Sequence, residues 1–291
     1  MRQYLFLAIA SACSTVAAQT PATNPMPDGS RDMYIGIGAQ SVPRYDGSSD
    51  NRTLAMPVLQ VQWSNGIFVS GTALGWHLSQ TPSVEFGPML ALSPRRDQDG
   101  VSFSFSGVSA ESGARTAHTN LRPDEFRERE EIDSNRLRDM DVIKHRVLAG
   151  GFFNYYLSPK LRLTNTLTYG SGRERNGARL HTALQYMMTD VAPHHSVVLS
   201  AGASLVNRAY SETWFGVTQD EADRSGINSA YRPGAGVQDV RAGVRWNWAL
   251  SPSWMLTSGA TVNRLVGDAK DSPLVERATN YSVSTALAYR F

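Results

Sequence analysis

From residue 33 to residue 291 apolar and polar side chains alternate in stretches of roughly ten, separated by turn residues. A period of two places successive side chains on opposite faces, as in a β-strand between an apolar medium and water. Residues 280–291 are the clearest case: Tyr281, Val283, Leu287, Tyr289 and Phe291 share one face, and Ser282, Ser284, Ala286, Ala288 and Arg290 the other. In 237–250, Val240, Ala242, Val244, Trp246, Trp248 and Leu250 oppose Asp239, Arg241, Gly243, Arg245 and Asn247. Residues 160–169 behave alike, with Leu161, Leu163, Leu167 and Tyr169 opposite Arg162, Thr164, Thr166 and Thr168. Twelve such strands are expected, at 33–40, 56–63, 66–76, 83–93, 101–108, 142–157, 160–169, 179–189, 195–206, 237–250, 253–265 and 280–291.

A soluble β-sandwich shares this period, but its strands are shorter and its apolar face points inward. Here the lengths suit a tilted bilayer crossing of ~9–11 residues. Trp246, Trp248, Trp254, Tyr281, Tyr289 and Phe291 fall near strand ends, where an interfacial aromatic girdle would place them. The expected fold is all-β, a closed antiparallel transmembrane β-barrel of the outer membrane, with the apolar face toward lipid and the small or polar face toward the lumen.

The connections test that topology. If 33–40 leaves the periplasm, the links 64–66, 94–100, 158–160, 191–194 and 251–253 are periplasmic and short. The links 41–55, 77–82, 109–141, 170–178, 207–236 and 266–279 then face outward, and most are long. Short turns on one side and long loops on the other are the habit of such barrels. This parity puts both termini in the periplasm and requires an even strand number. About twelve is self-consistent; ten or fourteen stay open, because 101–108 alternates weakly and 209–215 could extend a hairpin.

Composition narrows the picture. No run after residue 18 approaches the ~20 apolar residues of a membrane helix, and hydrophobic content of 41% with a mean hydropathy of −0.30 agrees with that exclusion. The first eighteen residues read as an export signal: Arg2, an apolar run from Tyr4 to Ala12, and the small residues Val16, Ala17 and Ala18 before Gln19. Processing as a lipoprotein at Cys13 is the rival. With Cys13 removed the mature chain has no cysteine, which excludes disulfides and thiol chemistry. Residues 19–32 are expected to form a flexible periplasmic leader, and 33–291 the single barrel domain with long outer loops near 109–141 and 207–236. The formal charge of +2, or +1 after loss of Arg2, carries no nucleic-acid footprint.

The longest loop is dense in mixed charge, from Arg122 through Glu131 to Asp133, Arg136, Arg138, Asp139 and Asp141. Such a run reads as a solvated surface loop; a cover over the barrel mouth, or contact with lipopolysaccharide through bridging cations, is the sharper alternative.

Catalytic motifs are absent from the sequence. There is no Gly-X-Ser-X-Gly elbow, no His-Glu-X-X-His and no phosphate-binding loop. Gly36 and Gly38 lack the third glycine and following helix of a dinucleotide site, and read instead as close packing or a bend in a strand. His194 and His195 sit at a turn and read as exposed polar residues rather than metal ligands. His145 and His181 lie in different strands and could join a serine in a hydrolase set of the kind some barrels carry. No catalytic, cofactor-binding or metal residue is assigned, no cofactor is expected, and the expectation is a non-enzymatic protein.

Certain blocks are more specific. Residues 211–218 (Ser-Glu-Thr-Trp-Phe-Gly-Val-Thr), 225–236, 265–275 and 288–291, together with 42–50 and the pair Met56-Pro57, resemble the signature blocks of the MipA/OmpV family. The resemblance covers nearly the whole mature chain and thins over 97–141. It implies an outer-membrane protein without known catalysis. The family takes its name from a scaffold that interacts with a membrane-bound murein lytic transglycosylase and links it to a penicillin-binding protein; other members resemble porins or adhesins. The resemblance thus implies those two murein enzymes as partners, while the barrel pattern implies outer-membrane lipid and lipopolysaccharide, and the C-terminal strand 280–291 the barrel assembly machinery. A scaffold is the leading expectation, a narrow porin-like channel or surface adhesin the alternative. In a channel, the lumen positions Arg162, Arg241, Arg245, Asn247 and Asn263 would set permeability.

Overall fold

Twelve antiparallel strands close on one another in the computed structural model, which describes residues 32–79, 81, 83–102, 135–172 and 174–291. The proposed signal peptide, most of the leader and the charged run 122–134 lie outside these residues. In chain order the strands are β1 (Asp32–Pro43), β2 (Asn51–Gln62), β3 (Ile67–Ser70), β4 (Ala73–Trp76), β5 (Val84–Ser93), β6 (Arg95–Asp97), β7 (Gly100–Ser102), β8 (Arg146–Ser158), β9 (Leu161–Ser171), β10 (Gly177–Ala192), β11 (His195–Val206), β12 (Gly236–Ala249), β13 (Trp254–Leu265) and β14 (Thr279–Arg290). All but β6 and β7 form the barrel wall.

The register confirms which face is which. Ile35, Ile37, Leu74, Phe86, Val147, Phe153, Leu167, Leu184, Leu199, Val244, Val283 and Leu287 are exposed on the outside of the wall, in strict alternation with inward residues. An outer surface this apolar, with a polar interior, inverts the arrangement of a soluble barrel and fits lipid. Trp76, Tyr155, Tyr186, Trp248, Trp254, Tyr289 and Phe291 ring the end at which β1 begins and β14 finishes. There Trp254 meets Tyr289 edge-on, and Tyr289 stacks on Phe291.

β1 and β14 close the barrel, pairing Tyr34 with Arg290 and Ser41 with Val283. Gly36 and Gly38 make this seam possible. A Cβ on Gly36 would lie 2.3 Å from the carbonyl oxygen of Leu287, and one on Gly38 would lie 2.1 Å from that of Thr285. These glycines serve close packing against Ala286 and Ala288 on the adjoining strand.

Three expectations need correction. Residues 66–76 are not one strand but the two short strands β3 and β4, joined by a two-residue turn at Gly71 and Thr72. Residues 101–108 do not supply a wall strand as far as they are described: β7 pairs with β6 in a separate two-stranded sheet. The two differences cancel in the count, so twelve stands, but they reverse the direction of β5. The link 94–100 therefore lies at the long-loop end, and the link between β4 and β5 at the opposite end. Finally, 209–215 does not extend a hairpin; it is helix α1 (Arg208–Phe215).

Candidate functional site

The loops at the long-loop end pack into a lid across the barrel mouth. β11 ends at Val206, and the side-chain oxygen of Asn207, which follows, accepts from the Tyr210 amide at 3.0 Å and the Ala178 amide at 2.9 Å, while its side-chain nitrogen donates to the Asn176 carbonyl at 2.7 Å. One residue thus caps α1 and ties it to the β9–β10 turn. α1 turns Tyr210, Trp214 and Phe215 inward, and Gly216 ends it. A second helix, α2 (Gln219–Ser225), starts with a capping box between Thr218 and Glu221.

Two apolar clusters form the lid's core. Val206, Tyr210, Trp214, Phe215, Leu265 and Ala269 make one; Tyr45, Leu137, Met140, Val217 and Leu274 make the other. Leu137 and Leu265 have no exposed surface at all. Between the clusters the backbone is stitched across loops. The Ser272 hydroxyl donates to the Phe215 carbonyl at 2.7 Å, and Arg96 Nη1 to the Trp214 carbonyl at 2.5 Å. Asn280 receives the Gly47 amide and donates to the Ser48 carbonyl, both at 2.8 Å. Ser49 donates to Glu276 through its amide and its hydroxyl. Asp268 Oδ2 accepts from the Gly234 amide at 2.6 Å. Arg224 pairs with Asp141, and Asn228 donates to the Arg136 carbonyl, so the described end of the charged loop is also held in the lid. Burial, reinforced by the charge of Glu276, holds the Tyr45 hydroxyl well above the usual phenol range. The blocks 42–50, 211–218, 225–236 and 265–275, which carry the family resemblance, meet in this one structure.

Below the lid the lumen wall is polar and mostly basic. By register its inward charged residues include Arg146, Arg162, Arg179, Arg241, Arg245 and Arg290 against Glu85 and Asp239. Arg162, Arg241, Arg245, Asn247 and Asn263 thus lie on the lumen face, where alternation placed them. Asp239, wholly buried, accepts from Arg241 at 3.0 Å, from the Ser204 hydroxyl at 3.0 Å and from Gln238 at 3.2 Å, with Arg179 3.8 Å away. Arg162 donates to Gln185 at 2.9 Å and to the Tyr156 hydroxyl at 3.2 Å.

The histidines separate by role. His181 Nδ1 lies 3.3 Å from Ser204 Oγ. A serine, a histidine and an aspartate therefore do meet, but Ser204 gives its proton to Asp239, receives Arg179 at 2.8 Å, and has no exposed surface. A nucleophilic serine needs its proton directed at the base and room for a carbonyl, so this set reads as a structural network. His145 contacts the Ser93 carbonyl where β5 leaves the wall. His195 stacks on Trp246 and Trp248 outside the wall, and His194 occupies the turn before it. Among the described residues no three His, Cys, Asp or Glu side chains are grouped to hold a metal.

A cavity of about 310 Å³ separates lid and wall. Trp214, Phe215 and Arg96 border it from the lid, and Gln185, Ser200, Arg241, Arg245, Thr261, Asn263 and Ser284 from the wall. Sequence reasoning missed this chamber, together with Ser204, Arg179 and Gln238 around Asp239. The inward parity of Ser204 and Arg179 was readable; the register shift that buries Gln238 beside Asp239, against the alternation of β12, and the alignment of three strands at one height were not.

The family described as MltA-interacting protein MipA matches residues 35–291. Outer membrane protein Omp26La of Vibrio anguillarum is 31% identical over 91 residues, which are 31% of this chain and 34% of that protein, so the match spans about a third of the relative's length. Among solved structures, the NanC porin aligns over 89% of this chain and all of its own, at 8% identity and a TM-score of 0.42. The outer membrane channel DcaP of Acinetobacter baumannii aligns over 90% of this chain and 96% of its own, at 7% identity and a TM-score of 0.37. With an apolar outer wall, a polar lumen and a family match spanning nearly the whole barrel, the chain belongs to the MipA family of outer-membrane β-barrel proteins.

Proposed function

We propose that this protein is a narrow solute channel of the outer membrane, held shut at rest by its packed outer loops. The chamber under the lid carries this reading. Its wall bears arginine, asparagine, glutamine and serine around open space, whereas the polar interior of a small barrel that serves only as an anchor can be filled by its own side chains. Tyr45, Leu137, Met140, Trp214, Phe215, Val217 and Leu274 of the described outer loops pack on one another, which favours a lid over an adhesive surface. The test is conductance in planar bilayers. Wild type should stay mostly closed, and the lid-core variant Phe215→Ala/Leu274→Ala should conduct in sustained openings. A folded lid variant that remains silent refutes the channel.

A second reading is favoured by the family's description as MltA-interacting protein, together with the murein enzymes that the family resemblance implies as partners. In it the barrel anchors murein-remodelling enzymes at its periplasmic face. The described surface at the end opposite the lid consists of short turns, so this role would fall largely on residues 19–32. Capture of a lytic transglycosylase and a penicillin-binding protein by the purified protein, lost when 19–32 are deleted, would support it. Capture of neither would remove it.

A further inference from the structure

We propose that the chamber under the lid is a binding site for a small hydroxylated anion, a phosphorylated or carboxylated solute of about monosaccharide size, gripped beside Arg245 and Arg241. This rests on the channel reading for the lumen as the working surface, although binding itself needs no conduction.

The wall of the chamber is built as a notch. Along β12 the inward positions run Arg241, Gly243, Arg245, so two guanidinium stems flank a residue with no side chain. The neighbouring strands keep the notch shallow. Gly243 pairs with Ser200 on β11 and Thr261 on β13, and Arg245 pairs with Gly259. A Cβ on Gly243 would come within 3.1 Å of the Ser200 and Thr261 hydroxyls, so even one methyl group would crowd this floor. Ser282 and Ser284 of β14 and Asn263 of β13 extend it with hydroxyls and an amide. Arginines framing a hydroxyl-lined hollow suit an anion that also carries hydroxyl groups: the guanidinium matches phosphate or carboxylate oxygens in a fork, and the small polar residues take the rest.

Charge points the same way. Arg162 lies near enough to Arg245 for the two cations to repel, and Arg96 borders the chamber from the lid. Asp46 at the rim is the acidic residue bordering the chamber, and Asp239 engages Arg241 from beside it. Cations gathered in a low-dielectric hollow concentrate anions there. The volume, about 310 Å³, lies at the small end of ligand pockets.

The test is equilibrium titration of the purified, folded protein in detergent with glucose 6-phosphate, glucuronate and glucose, read by calorimetry. At least one of the two anions should bind, more weakly as salt rises, and glucose should not. The stronger anion identifies phosphate or carboxylate as the recognised group. Arg245→Gln should weaken binding about tenfold or more, by removing a charge-assisted hydrogen bond. Gly259→Val should abolish it sterically, since a Cβ at Gly259 finds only ordinary 3.5 Å contacts and the added methyls enter the chamber. Arg208→Gln, on the exposed side of α1, should change nothing. Failure of both anions to bind, equal binding of glucose, or wild-type affinity in Arg245→Gln overturns the proposal. If Arg245→Gln does not fold, Gly259→Val decides: wild-type affinity there overturns it. Binding without conductance would remove the channel and leave the site; conductance without binding would do the reverse.

Discussion

Truncating Phe215 should open the lid while leaving the barrel wall intact. The ring is 2% exposed and packs with Val206, Tyr210, Trp214, Leu265 and Ala269, and its backbone carbonyl holds Ser272. Replacing a buried phenylalanine by alanine costs about 3–5 kcal/mol when the site cannot collapse. The lid's loops can relax more than strands can, so the lower end, about 3 kcal/mol, is expected. Because the lost contacts lie mostly within the lid, this cost falls on lid opening, which should become on the order of 10²-fold more frequent. Amide hydrogen exchange followed by mass spectrometry measures it directly. Peptides over 207–218 and 266–278 should exchange up to that factor faster, and peptides over 254–264 in the wall should be unchanged. Phe215→Leu, which keeps much of the apolar volume, should give a smaller rise. Parallel loss of protection in the wall would show that lid and barrel are one cooperative unit; no change in the lid peptides would show that the two clusters do not hold it.

Three further outcomes follow from named contacts. The Tyr45 hydroxyl is held neutral by burial and by Glu276, so its folded pKa lies above the unfolded value of about 10; the stability it lends the lid is complete below pH ~10 and is lost as pH rises beyond it, and lid exchange should accelerate there in wild type but not in Tyr45→Phe. Asp239→Asn leaves the Arg179 and Arg241 guanidiniums without their shared carboxylate, an uncompensated buried charge of about 3–5 kcal/mol; the temperature at which the folded band disappears in gel-mobility assays should fall, and should partly recover in Asp239→Asn/Arg179→Gln. Gly36→Ala sets a methyl group 2.3 Å from the Leu287 carbonyl oxygen, so β1 and β14 must separate; the folded fraction recovered in detergent should drop sharply, and recovery equal to wild type would show that the seam tolerates the displacement.

Alternation revealed the wall because lipid and lumen impose opposite demands on successive residues. The inward placement of Arg162, Arg241, Arg245, Asn247 and Asn263 needed only that parity. The hairpin of β3 and β4 escaped notice although its turn opens on Gly71 at φ 58°, because a single glycine inside an otherwise apolar run also reads as a bulge within one continuous strand. Residues 101–102, the described part of 101–108, misled in the opposite way: they pair with β6 rather than with the wall, and a short alternating run says nothing about which strand receives it. Because the two departures cancel, the strand count came out right while the ends of the links around β5 were exchanged.

The amino-acid sequence on its own determined an outer-membrane barrel with an even number of strands, a polar lumen and long loops on one side, since those properties follow from local periodicity and turn chemistry. Tertiary structure decided that the loops form a lid, that the family-like blocks meet within it, that Ser204 and His181 gather at Asp239, and that Gly243 and Gly259 open a hollow beside two arginines. Each of these depends on which residues of neighbouring strands and loops reach the same height, and that register is set by closure of the whole barrel rather than by any one segment.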